Sequence, residues 1–268
     1  VVKGLGGKAQ LSTVTQRDLD LYVAKRRKGR SNASVNREID VLRAVWWRAK
    51  RLKYEIGDMP EWKALYLHVP KAPPRELSGT EEEAVFEALP IDAHDTVMFA
   101  LISGWRKGEV IGLRWFDVDL SLAEARTRIK GGDIVVRPLN SALVALIGNQ
   151  PKIGPFVFTY VCKKSRGSRR QGERYPMTAT ALRVRWDAAR KTAELHGFRF
   201  HDLRHTAATR VLRATQNLAL AKEVLRHKNI STTLRYAHVL DDDIRDALDA
   251  GISRNNPGQS IEKRRKTK

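Results

Sequence analysis

"HDLRHTAATRVLRATQNLALAKEVLRHKNISTTLRYAHV", residues 201–239, decides how the chain is read. Its first third has helical periodicity, and Ala207, Ala208, Val211 and Leu212 fall where a helix over 201–214 would anchor itself in a core. A second helix is expected over 217–227 and a short one from near Ser231. The polar side is less ordinary. His201, Arg204 and His205 lie within five residues, and His201 and Arg204, three apart, share a helix face. Alone, an H-x-x-R pair is more often a solvated polar face than a site. By itself, Tyr236 reads as a helix-surface tyrosine, and His205 as structural. The stretch gains meaning only if other segments offer matching groups.

Composition narrows what those groups could serve. The 268 residues suit two domains, and a hydrophobic content of 42% is enough for real cores. Lys and Arg number 50 against 30 Asp and Glu, for a net charge of +20 and an isoelectric point near 10.4. Such an excess points to a polyanionic partner, nucleic acid before membrane. No apolar run approaches the roughly 20 residues of a spanning helix, and no signal peptide is visible. The single cysteine, Cys162, excludes an internal disulfide framework and a thiolate zinc cluster, and it fits a reducing, cytoplasmic setting. The histidines form neither H-x-x-x-H nor H-E-x-x-H, so neither a metal nor any other cofactor is expected. Because Val1 is not a methionine, the chain is expected to be a partial or processed one.

From the amino end, Thr15 caps a helix carrying Leu19, Leu21, Tyr22 and Val23 that stops at Gly29. A longer helix follows, with Val35, Ile39, Leu42, Val45, Trp46 and Ala49 as one apolar stripe. Trp46 and Trp47 are read as core. Arg37, Arg43, Arg48, Lys50 and Arg51 on its other faces are either a solubilising surface or phosphate contacts, and the overall charge favours the second. "HVPKAPPREL" (68–77) is a proline-rich linker. Thr80 with Glu83 is a capping box for the next helix, and a buried-looking helix follows in "HDTVMFALISGW" (94–105). "EARTRIKGGDIVVRPL" (124–139) reads as two strands around a Gly131-Gly132-Asp133 turn. "NSALVALIG" (140–148) is helical and "GPFVFTY" (154–160) a short strand. "CKKSRGSRRQGERY" (162–175) is a basic loop without periodicity, either disordered or in contact with DNA, and Thr178 caps a helix over 178–195.

Three segments now match. "ISGWRKGEVIGLRWFDVD" (102–119), "HDLRHTAATR" (201–210) and "LRHKNISTTLRYAHV" (225–239) resemble the three boxes of the tyrosine recombinase, or phage integrase, catalytic domain. The resemblance covers roughly residues 75–240. It implies Arg106, Lys130 on the hairpin, His201, Arg204, His227 and Tyr236 as catalytic residues, with Glu109 at the family's acidic position. Residues 1–70 are similar to the family's helical core-binding domain and are expected to be short of it by one helix. Two departures stand out: Arg226 replaces the glycine usual before the third-box histidine, and Trp105 stands before Arg106 where a small or aliphatic residue is commoner.

The implied fold is mainly α with a small antiparallel β-sheet. Its expected parts are a core-binding domain over 1–70, a linker over 71–77, a catalytic domain over 78–240 and a helix and basic tail over 241–268. Within that tail, Asp241, Asp242 and Asp243 open a last helix that stops at Gly251. The implied reaction cleaves and rejoins DNA through a 3′-phosphotyrosine at Tyr236, without metal or ATP. Two guanidiniums, Arg106 and Arg204, suit the charge that grows on the phosphate oxygens. In this reading His201 helps remove the phenol proton, nearby arginines favour phenolate, Lys130 protonates the leaving 5′-oxygen, and His227 hydrogen-bonds a nonbridging oxygen. Further DNA contacts are nominated at Lys163, Lys164, Arg169, Arg170, Arg183 and Arg185. The family works as a homo-tetramer on duplex DNA, joined through the segment after Tyr236, in a bacterial or phage setting at the nucleoid. A type IB topoisomerase or a non-catalytic DNA-binding protein would share parts of this pattern. The DNA site and the direction of reaction are not written in the residues.

Overall fold

The computed structural model describes residues 9–70, 74–128, 134–226 and 229–236. The chain divides into two compact units between Ala72 and Pro73. The secondary structure is mostly helical, with two small antiparallel sheets.

In the first unit, helix α1 (Gln16–Arg27) starts at a capping box in which Thr15 Oγ1 accepts from the Asp18 amide and Asp18 Oδ2 accepts from the Thr15 amide. Helix α2 (Asn32–Arg51) is capped by Ser31, and a single turn, α3 (Trp62–Leu65), closes the unit. Val35, Ile39, Leu42, Trp46 and Ala49 are buried, at alternating spacings of four and three. Val45 and Trp47 sit about 100° either side of Trp46 on that helix, and both are exposed, as is Leu21 on α1. The apolar stripe is therefore narrower than the sequence implied. Trp47 lies on the surface with the Lys50 ammonium 5.5 Å from its ring, while Trp46 packs edge-on against Trp62. Glu38 ties the two long helices together, accepting from the Tyr22 hydroxyl at 2.5 Å and from Arg26 Nε at 2.7 Å.

The second unit opens with α4 (Gly79–Ala88). Its cap is Ser78 paired with Glu81, two residues before the expected Thr80–Glu83 box, because the helix already begins at Gly79. Helix α5 (Ile91–Ser103) is buried or half-buried along nearly its whole length and runs through the core, with Phe99 against Trp105 and Phe158. After the short α6 (Lys107–Ile111) come strands β1 (Val118–Asp119), β2 (Glu124–Arg128) and β3 (Ile134–Pro138), in that order in one antiparallel sheet. The β2–β3 register pairs Arg128 with Ile134, and the expected turn with Lys130 lies outside the described residues. Helix α7 (Ser141–Gly148) is followed by a second sheet of β4 (Thr159–Val161) and β5 (Arg174–Pro176).

The basic segment between those two strands, expected to be a loop either disordered or in contact with DNA, is the turn of a hairpin. The Tyr175 hydroxyl accepts from the Arg170 amide and donates to Glu173, and Arg166 and Arg169 form a bridge. Then follow α8 (Ala179–Thr192, capped by Thr178), α9 (Asp202–Thr215), α10 (Leu218–Leu225) and a 3-10 turn at Ile230–Thr232. Helix α9 packs against both α5 and α10, which brings three distant parts of the chain together. The expected last helix over 241–250 and the basic tail lie outside the described residues.

Candidate active site

The site grows from the end of α5. Gly104 terminates that helix in the left-handed conformation, with φ of 62°. A Cβ there would stand 3.2 Å from the Ala207 Cβ and 3.3 Å from Leu225 Cδ2, so glycine permits both the turn and the close approach of α9 and α10. Arg204, near the start of α9, is almost wholly buried at this junction. Its Nη1 donates to the Gly104 carbonyl at 2.5 Å and its Nη2 donates to the Leu225 carbonyl. One guanidinium thus staples the first box to the second and third. Burial first, then the neighbouring Arg106 charge, push the Arg204 pKa down to about 10.

Arg106 caps α6 and is about half exposed, its side chain 47% accessible. Glu109, one turn on, accepts from the Arg106 amide at 2.9 Å and from its Nη1 at 3.0 Å. The second oxygen of Glu109 also accepts from Nη2 of Arg137 at 3.0 Å. Arg137, on β3, is buried and was missed from sequence, where it reads as one more residue of a strand.

Tyr236 is fully buried among Ala208, Leu212, Ala221 and Leu225. Its hydroxyl lies 2.5 Å from Nδ1 of His205. Burial raises the phenol pKa and outweighs the lowering effect of Arg235 and Arg204. The arginines do favour phenolate, as expected, but in this arrangement desolvation dominates. Burial and the adjacent His201 push the His205 pKa down to about 4, so the imidazole is neutral near pH 7 and shares a hydrogen bond with the phenol. His205 had been read as structural. The signal that could have found it is its place one turn along α9 from His201, whose ring it meets edge-on at 5.4 Å. His201 itself stands at the head of α9 with an exposed side, its pKa lowered by partial burial and by Arg204. His227 lies outside the described residues, as Lys130 does.

An open groove of about 1430 Å³ runs beside Arg106, between α6 and the β2–β3 strands. Arg114, Arg126, Arg128, Lys222 and Arg226 line it, against the carboxylates of Glu109, Asp117 and Glu223. Arg126 and Arg128 were not named from sequence, although strand alternation puts both on the outer face opposite Ala125 and Thr127.

Of the other nominated contacts, Arg37, Arg43, Lys163, Lys164, Arg169, Arg170 and Arg183 are exposed. Arg185 is not free for DNA. It forms a largely buried pair with Asp92 at 2.7 Å, donates to the Val161 carbonyl and stacks on Tyr160, which corrects its nomination. Among the described residues no group of three His, Cys, Asp or Glu side chains is gathered as for a metal ion, and no helix is long and apolar enough to cross a membrane.

Comparison with known proteins supplies the family. Residues 77–243 match the Phage integrase family. Tyrosine recombinase XerC of Xanthomonas campestris pv. campestris (strain B100) is 30% identical over 241 residues, covering 86% of this chain and 71% of that protein. The integrase of Salmonella phage P22 is 28% identical over 196 residues, 67% of this chain and 49% of that one. Among solved structures, XerH site-specific recombinase bound to a palindromic difH substrate superposes with a TM-score of 0.69 at 17% identity, over 90% of this chain and 74% of that one. A lambda integrase dimer bound to a COC' core site gives 0.67 at 18% identity, over 86% and 84%.

Proposed function

The chain belongs to the phage integrase family and is a tyrosine-type site-specific recombinase, and from that premise we propose that Tyr236 attacks a phosphodiester of duplex DNA. The observation that carries this is the Arg204 staple, which draws Gly104 beside Arg106, the head of α9 and the end of α10 to one corner. Tyr236 Oη bonds to phosphorus, the bond to the 5′-oxygen breaks, and a 3′-phosphotyrosine keeps the bond energy for rejoining. Arg106 and Arg204 take the negative charge that grows on the nonbridging oxygens, where fixed guanidiniums need no reorganisation. His201 receives the phenol proton once Tyr236 has left His205. Lys130 protonates the departing 5′-oxygen and His227 binds a nonbridging oxygen. No metal or nucleotide cofactor enters this scheme.

The remaining assignments follow from charge and from the relatives. The first unit is a core-binding domain, with Arg37 and Arg43 on the exposed side of α2 for phosphates. The arginines of the groove and the basic hairpin turn add further phosphate contacts. A lambda integrase tetramer bound to a Holliday junction is among the similar structures. It supports a homo-tetramer on DNA here, linked through the segment after Tyr236 and working at the bacterial nucleoid in the cytoplasm. The test is a nicked suicide duplex offered in EDTA. Wild type should form a covalent adduct and Tyr236→Phe should bind DNA without forming one. Adduct in that variant, or a strict need for magnesium, overturns the proposal.

A further inference from the structure

Arg137 is a cation for which the reaction above has no use. It points inward from β3, with its side chain 3% exposed, at a position where a half-buried sheet usually carries an apolar residue. Burying a guanidinium is costly, and a buried ion pair seldom does better than an apolar pair of the same volume. Its Nη1 is also buried without a hydrogen-bond partner among the described residues. A residue kept for stability alone would be a poor choice here.

Its contacts lead to the first box. Nη2 donates to Glu109 Oε2 at 3.0 Å, and the guanidinium lies 4.7 Å from the Trp105 ring. Nε donates to Thr127 Oγ1 at 3.1 Å, which fixes the head from the neighbouring strand. Trp105 is the same unusual residue that precedes Arg106, and the platform it offers to Arg137 accounts for its size. We infer that Arg137 is a positioning residue for Arg106, acting through Glu109.

Two effects combine. The first is charge: Glu109 alone would neutralise Arg106, whereas Glu109 between two arginines leaves a net single positive charge facing the groove. The second is geometry. Glu109 uses Oε1 for the Arg106 side chain and Oε2 for the Arg106 amide and Arg137. Without Arg137 the carboxylate is held only by the residue it is meant to hold, and the half-exposed Arg106 moves with it.

This inference rests on Arg106 acting as a phosphate clamp, and the test separates the two. Single-turnover cleavage of the nicked duplex is measured at saturating protein. Arg137→Met, which keeps bulk and removes charge, should slow cleavage by about 10- to 100-fold, since a clamp misplaced by about 1 Å costs that order. DNA affinity should change by less than about twofold. Arg137→Lys should recover part of the rate, and it carries the same comparisons if Arg137→Met does not fold. On a duplex with a neutral methylphosphonate at the cleaved position, the gap between wild type and variant should shrink, because the charge to be clamped is gone. In the Arg106→Ala background, Arg137→Met should cost nothing further. Multiplying defects in that double variant, or an unchanged gap on methylphosphonate, would show a merely structural role and overturn the inference. Absence of any Tyr236 adduct in wild type defeats the recombinase reading itself, and the inference with it.

Discussion

His205 gives the sharpest physical prediction. Its side chain is 12% exposed, its Nδ1 meets the Tyr236 hydroxyl, and its pKa is pushed from 6.5 down to about 4. A base whose folded pKa is depressed binds fewer protons folded than unfolded in the window between the two values. The stability it confers is therefore whole above about pH 6.5 and is lost as pH falls towards 4. Linkage gives a loss of about 2 kcal/mol at pH 5 and about 3 kcal/mol at pH 4, as order-of-magnitude values. His205→Asn removes the titration while offering an amide near the place of Nδ1, so the phenol keeps a hydrogen-bond partner. Urea unfolding of both proteins at pH 7, 5 and 4 would isolate the contribution, since the carboxylates are common to both. The wild type should lose more stability than His205→Asn across that range. An imidazole titration by NMR should place the folded value near 4. Parallel stability profiles, or a His205 that titrates near 6.5, would refute the buried neutral imidazole and its bond to Tyr236.

Two further outcomes separate support from chemistry. Arg185→Ala should destabilise the catalytic unit by about 3–5 kcal/mol, because Asp92 is left buried without its partner; Arg183→Ala should leave the unfolding midpoint unchanged and only weaken the salt dependence of DNA binding. Lys130→Ala should cleave ordinary DNA slowly and regain much of its rate on a 5′-bridging phosphorothioate, whose leaving group needs no proton, whereas Arg106→Ala should show no such rescue.

The helices were legible because their signals are local. Thr15, Thr178 and the periodicity of α9 marked elements that formed where expected. Trp47 and Val45 were misplaced because a composition rule for apolar residues cannot say how wide the buried stripe is. That width depends on what α2 packs against, here Leu19, Tyr22 and Val23 of α1 with Trp62 and Leu65 of α3. For the loop expected after Val161, the hairpin closing it was not foreseen, for a related reason. Its order comes from Tyr175 closing the loop on Arg170 and Glu173, and no periodicity announces such a contact.

The site was legible as a set of boxes but not as a set of bonds. The family resemblance named Arg106, His201, Arg204 and Tyr236, yet it could not tell which histidine would meet the phenol, because His201 and His205 lie one helix turn apart. Arg226 shows the same limit from the other side. As a sequence departure it was only a missing glycine. In the fold it ends α10 in the left-handed conformation, with φ of 51°, which is why glycine suits the position. Arginine accepts that strain while its Nη2 donates to the Val136 carbonyl at 2.7 Å, one residue from Arg137. Trp105, Arg137 and Arg226 thus converge on β3: Trp105 and Glu109 of the first box hold Arg137, and Arg226 ties the end of α10 to the carbonyl of the preceding residue, Val136.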